Sequence, residues 1–205
     1  MTRRPARPER ASRRRSWREI ACASLDFETT GLDPAQDAVI SYGVVPVEEG
    51  RVLLRESEYR TVRPHIPPSS ESVKVHHLRA QDLEDAPPLA DVLEPLRLAL
   101  EDRYLVVWAA GVEIGFLRRL YGGRDRWWRR RTVDVLRLVI ALDRLDGRRA
   151  DDYRLEATAR RFGLPAEEAH HALDDAVMTA ELFLVAATKL ADRGHPTIGS
   201  LVHAG

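Results

Sequence analysis

The sequence predicts an α/β domain with a mixed central sheet, an antiparallel three-strand meander and flanking helices. Three observations carry this. Three β-rich runs, Ala21 to Glu28, Ala38 to Val47 and Arg51 to Val62, open the folded part of the chain, the last two divided by the hairpin residues Glu48-Glu49-Gly50. A short apolar run at Tyr104 to Ala110, and a further strand or helix start at Thr132 to Asp134, return to the sheet, each separated from its neighbours by helical patterns. A long helix from about Ala172 to Arg193 places Leu173, Ala176, Val177, Ala180 and Leu184 on one face and is closed by Gly194 and Pro196. Strands that alternate with helices and return to one sheet define the class.

The remaining elements follow from punctuation. Pro64, Pro67 and Pro68 end the third strand, and helices are expected over Ser69 to His77 and Leu89 to Glu101, with Pro95 kinking or splitting the second. Ile114 to Tyr121 reads as a helix stopped by Gly122-Gly123. Thr132 to Asp134 leads into an amphipathic helix to about Leu145, Gly147 to Asp152 is a charged loop, and a helix over Leu155 to Phe162 stops at Gly163-Leu164-Pro165.

Composition sets the limits. With 205 residues, 44% of them hydrophobic, the chain can bury a substantial core, and one domain over 19–193 is expected between an arm of residues 1–18 and a short tail of 194–205. The arm is rich in arginine and proline and is expected to be disordered; solubilising tail, nucleic-acid arm and targeting peptide are its readings, in that order. No apolar run reaches the roughly 18–20 residues that cross a bilayer, so no membrane partner is expected. The single cysteine, Cys22, lies in the apolar part of the first strand and excludes an intramolecular disulfide, which favours a cytoplasmic location. Lys74 and Lys189 are the only lysines among 32 basic residues, a bias more in keeping with codon usage than with phosphate binding.

Two clusters carry chemistry. On the first strand side chains alternate, so Asp26 and Glu28 share one face while Leu25 and Phe27 share the other. Carboxylates packed this closely need a cation between or before them. Thr29, Thr30 and Gly31 then break the strand with residues that can bring backbone donors to a ligand. The second cluster is His170-His171-Ala172-Leu173-Asp174-Asp175-Ala176. Five residues apart on a helix, His170 and Asp175 would diverge by roughly 140°, so they share a site only if His170 precedes the helix. Pro165, Glu167 and Glu168 make a loop there credible, while Asp174 in the first turn has the simpler role of offsetting the helix dipole.

Asp26-Phe27-Glu28-Thr29-Thr30-Gly31-Leu32, together with His170-x-Ala-Leu-x-Asp175-Ala176, resembles the first and third motifs of the DEDDh 3′–5′ exonuclease family, the group of the proofreading epsilon subunit of bacterial DNA polymerase III. The likeness runs from about Ile20 to Leu190, with Val75 to Leu78, Thr132 to Asp134 and Leu155 to Leu164 falling where that family has similar segments. It implies a ribonuclease H-like fold that releases nucleoside 5′-monophosphates from a single-stranded 3′ end, with a DNA polymerase as a potential partner, using two Mg²⁺ or Mn²⁺ ions. By the same resemblance Asp26, Glu28, Glu113 and Asp175 hold the metals, with Asp26 best placed to bridge them. His170, as an imidazole that titrates near neutrality, removes a proton from the attacking water. Thr29, Gly31, Leu32 and His76 are the expected substrate contacts, Leu32 as a wedge against the terminal base; His76 and His77 shape a loop rather than bind metal.

The chain departs from the family at the second motif. In Val107 to Leu117, Trp108 and Ala109 stand where relatives have a His-Asn pair, and Glu113 stands where they have a metal-binding Asp. Glutamate keeps the charge on a longer arm, and Mg²⁺ demands near-octahedral geometry, so Mn²⁺ suits this site better. Asp125 and Asp134 are lesser candidates for that ligand, Asp134 rather a supporting acid. A fold-retaining module that binds nucleic acid or a protein, with catalysis weakened, is the alternative function. Arg124 to Arg131 interleave arginines with Trp127 and Trp128 as single-strand binding surfaces do, but core packing is the favoured reading of at least one tryptophan.

Overall fold

The computed structural model describes residues 3–6, 8–166 and 170–203. Its sheet has six strands: β1 (Cys22–Thr29), β2 (Val39–Glu48), β3 (Arg51–Val52), β4 (Glu58–Thr61), β5 (Tyr104–Val107) and β6 (Thr132–Asp134). Their order is β3-β2-β1-β5-β6, with β4 also on β2. β1, β3 and β4 run antiparallel to β2, while β5 and β6 extend the sheet in parallel with β1, so the sheet is mixed as expected. The third run of the meander is split rather than continuous, because Leu54–Glu56 forms a 3₁₀ turn between β3 and β4.

The helices are α1 (Ser70–His76), α2 (Leu89–Ala99), α3 (Gly111–Tyr121), α4 (Asp125–Arg129), α5 (Val135–Leu145), α6 (Leu155–Arg161), α7 (Ala172–Ala191) and α8 (Ile198–His203). α2 is a single helix that carries Pro95 in its interior, so no split occurs there. Strand alternation sorts the core into two layers. Cys22 on β1 joins the cluster built on α5, α7 and α8, and Ala23, Leu25 and Phe27 join the one built on α2, α3 and α4. Asp26 and Glu28 have the parity of Cys22 and thus face α7. Burial pushes the Cys22 thiol up to about 12, which leaves it an inert core residue.

Residues 1–18 differ from the disordered arm that their composition suggests. Where they are described, they include 3₁₀ turns at Arg10–Arg14 and Trp17–Glu19, and Trp17 is buried edge-on against Phe183 with ring centroids 5.5 Å apart. Ser12 hydrogen-bonds Tyr104, and the carbonyl of Ala6 accepts from the buried Arg131 guanidinium at 3.0 Å. The tail is structured as well: Thr197 bridges to Ser16, and Ile198 and Leu201 of α8 are buried in the α7 layer. A few apolar anchors, set among arginines in the arm and among small and polar residues in the tail, suffice to dock both segments, and average composition does not register them.

Candidate active site

Backbone pairing places Asp26 opposite Gly43 of β2, and Gly43 decides what can lie above it. A Cβ on Gly43 would stand 2.3 Å from the Ala172 carbonyl oxygen, so only glycine lets the first turn of α7 press onto the sheet there. That approach brings Asp175 over β1. Carboxylate oxygens of Asp26, Glu28 and Asp175 all lie within 4.8 Å of one another. Among the described residues no other group of three or more acids, histidines or cysteines is so close.

Glu113 stands outside that trio, yet it is coupled to it. It is buried in the first turn of α3, where burial, and then the neighbouring Asp134 carboxylate, push it up to about 8. Asp26 is half-buried and is raised well above the usual carboxylate range by lost hydration, then by Glu113, Glu28 and Asp175 in turn. Burial and Asp175 push Glu28 up to about 8; burial, then Glu156 and Asp174, push Asp175 up to about 7. Glu113 Oε2 and Asp175 Oδ1 are buried without a hydrogen-bond partner. Closely packed, unpaired acids with unused oxygens fit a divalent cation as the missing partner.

His170 precedes α7, as its spacing to Asp175 requires, whereas Glu167 and Glu168 lie outside the described residues. It is exposed at the edge of the cluster, Nδ1 3.9 Å from Asp175 Oδ2 and Nε2 3.7 Å from Glu156 Oε1. Glu156, on α6, is a member of the site that residue spacing gives no means of finding; its position as a first-turn helix acid disguises it. His171 stacks on Tyr59, centroids 4.2 Å apart.

The turn after β1 is rigidly built. Thr29 Oγ1 donates to the Gly31 carbonyl at 2.7 Å, and Thr30 Oγ1 donates to Asp37 while accepting from the Ala38 N–H. Gly31 packs so close to the Asp37 carboxylate that a Cβ would meet it at 2.5 Å. This frame holds Leu32 out in solvent, 77% exposed. His76 is buried beside the turn: its Nδ1 accepts the Leu78 N–H at 3.0 Å, and burial lowers its pKa. Its Nε2 is buried without a hydrogen bond of good geometry, although the Thr29 backbone lies close enough to act on the ring.

The altered second motif has a visible backbone consequence. Ala109 adopts φ +54°, in the left-handed region that Asn and Gly occupy at lower cost than alanine. Asp134 supports this bend: it accepts the Ala110 N–H at 3.1 Å and caps α5, and so acts as a structural acid. Asp125 is on α4, paired with Arg129 and Arg118. Trp128 is fully buried and Trp127 partly so, packed edge-on at 4.7 Å.

A family model described as Exonuclease (RNase_T) matches residues 24–183. The chain is 34% identical over 164 residues to DNA polymerase III PolC-type of Thermotoga maritima, covering 78% of this chain but only 11% of that protein. It is 28% identical to DNA polymerase III subunit epsilon of Treponema pallidum, covering 80% of this chain and 75% of the relative. Among solved structures, Exonuclease X in complex with 5′ overhanging duplex DNA aligns over 90% of this chain and 99% of its own, with TM-score 0.66 and 20% identity. E. coli Exonuclease I in complex with a dT13 oligonucleotide aligns over 85% of this chain and 43% of its own, with TM-score 0.71 and 17% identity. The structural neighbours bear out the ribonuclease H-like fold, and the match over 24–183 encloses all four acids and His170: this chain belongs to the RNase_T exonuclease family, as its DEDDh-like motifs imply.

Proposed function

We propose that the protein is a metal-dependent 3′–5′ exonuclease acting on single-stranded nucleic-acid ends, DNA in the first instance, and releasing nucleoside 5′-monophosphates. The observation that carries this reading is the trio Asp26, Glu28 and Asp175 with oxygens within 4.8 Å of one another. With Glu113 these acids would hold two Mg²⁺ or Mn²⁺ ions. Bound divalent cations supply charge neutralisation at the scissile phosphate and a nucleophile at neutral pH. The chain's own residues do the rest. His170, exposed beside Asp175 and Glu156, is placed to take a proton from water at the open side of the cluster. The Thr29–Gly31 turn and Leu32 would hold the terminal nucleotide, with His76 Nε2 as a further polar contact. The epsilon and PolC relatives make a DNA polymerase a partner of interest.

A second reading, a binding module with weakened catalysis, is favoured by one observation: Glu113 lies outside the trio. Degradation of 5′-labelled single-stranded DNA and RNA with Mg²⁺, Mn²⁺ or chelator separates the two. Metal-dependent laddering from the 3′ end that Asp26→Ala abolishes supports the exonuclease. Intact substrate with wild type, and degradation regained by Glu113→Asp, supports the module.

A further inference from the structure

An arginine-lined groove lies along the outer edge of the sheet, beside β6 and the start of α3. β6 is the last strand in the sheet order, and α4 and α8 pack beside it. The groove, of about 250 Å³, is lined by Ala110, Ile114 and Asp134 together with Arg126, Arg129 and Arg130. Asp134 links this lining to the acids: it pairs with Val107, accepts from the Ala110 N–H and acts electrostatically on Glu113. A second cleft shares Arg126 and Arg130 and adds Arg4, Arg124 and Trp127, so the basic surface continues past α4.

The charge here is local, because the chain as a whole carries no formal net charge. Around the first groove four guanidiniums, those of Arg126, Arg129, Arg130 and Arg137, stand against two carboxylates. Asp125 is paired with Arg129 at 2.5 Å and Asp134 with Arg137 at 3.4 Å. The volume falls below the roughly 300–1,000 Å³ of an enclosed small-molecule site, and an open channel rimmed by planar forked donors suits successive phosphates better than a whole nucleotide. Trp127 is itself covered, with the guanidiniums of Arg4 and Arg131 at 4.9 and 5.3 Å from its ring centroid, so the surface offers charge rather than a stacking face.

We propose that this groove is the track for the phosphate backbone of the strand upstream of its 3′ end, an inference that rests on the exonuclease reading above. The test uses the full chain and fluorescent dT16 and dT4, with Ca²⁺ in place of Mg²⁺ to hold hydrolysis back. Wild type should bind dT16 more tightly than dT4. Arg126→Glu/Arg129→Glu should weaken dT16 about tenfold and flatten the slope of log affinity against log salt by about 1.4, the value for two single-strand phosphate contacts. Arg126→Lys/Arg129→Lys should retain most of the affinity, which separates loss of charge from loss of fold. Arg148→Glu/Arg149→Glu makes the same charge change at the far end of α5 and should leave dT16 binding as it was. Unchanged dT16 affinity in the groove variant, or an equal loss in the Arg148/Arg149 variant, overturns the track. If wild type shows groove-dependent binding but releases no nucleotide with Mn²⁺, the exonuclease reading falls and the track stands; if it binds neither oligonucleotide, both fall.

Discussion

Arg131 and the carboxylates of Glu28, Glu113 and Asp175 are all withdrawn from water, yet only the arginine is held by several groups of opposite polarity. Its guanidinium donates to the carbonyls of Leu100 at 2.7 Å, Arg103 at 2.6 Å and Ala6 at 3.0 Å. Asp143, also buried, receives Arg161 on both oxygens at 2.7 and 2.9 Å. The acids around Asp26 have one another for neighbours instead, and burial and mutual repulsion raise each of them. Charges that belong to the fold are satisfied inside the chain, whereas those in the cleft await something from outside it.

This contrast can be broken most forcefully at its satisfied end. Arg131→Met removes the donor and strands several buried carbonyls, and should lower unfolding free energy by about 3 kcal/mol, read from urea denaturation. Equal stability of the variant would mean that this arginine, too, is unsupported.

Next comes the cation. In chelator the melting temperature should fall as pH rises from about 5 to 8: pKa values raised by folding give stability that is full below the ordinary carboxylate range near 4 and is lost as pH climbs through about 7 for Asp175 and about 8 for Glu28 and Glu113. Mn²⁺ at a hundred times its dissociation constant should restore about 2.7 kcal/mol at pH 8 and reverse the slope. A flat profile in both conditions would leave the cleft no different from a solvated acidic patch.

The smallest effect sharpens the comparison further. Asp26→Asn removes one of the mutually repelling charges, so the metal-free variant should be more stable by about 1 kcal/mol at pH 8 while losing hydrolysis. A variant that is both inactive and less stable would assign Asp26 a structural role.

Much of this could be read in the sequence because the signals are local. Strand alternation put Asp26 and Glu28 on one face, and the five-residue spacing forced His170 out of α7; both hold in the structure. The spatial partners were harder to read. Glu156 joins the site only through the packing of α6 on α7, and nothing in its own neighbourhood distinguishes it from a solvent-facing helix acid. The order within the described part of residues 3–18 and in α8 was hidden likewise, since Trp17, Ile198 and Leu201 are few in otherwise polar or small-residue segments and become anchors only once the α7 layer exists. Glu113 was legible as a substitution, but its place outside the closest trio depends on where α3 starts.

Gly43 also bears on the order of events in folding. It and Ala172 are distant in sequence, and the contact between them is what closes the acids together. Closing a contact of such separation costs the most loop entropy, so the repulsive cluster is expected to assemble in a late docking of α7 on the sheet. A cation bound there stabilises the native state more than the barrier before it. Mn²⁺ should then slow unfolding while leaving the refolding rate nearly unchanged in stopped-flow measurements, and the holo protein would owe its persistence to a lock fitted after the fold is complete.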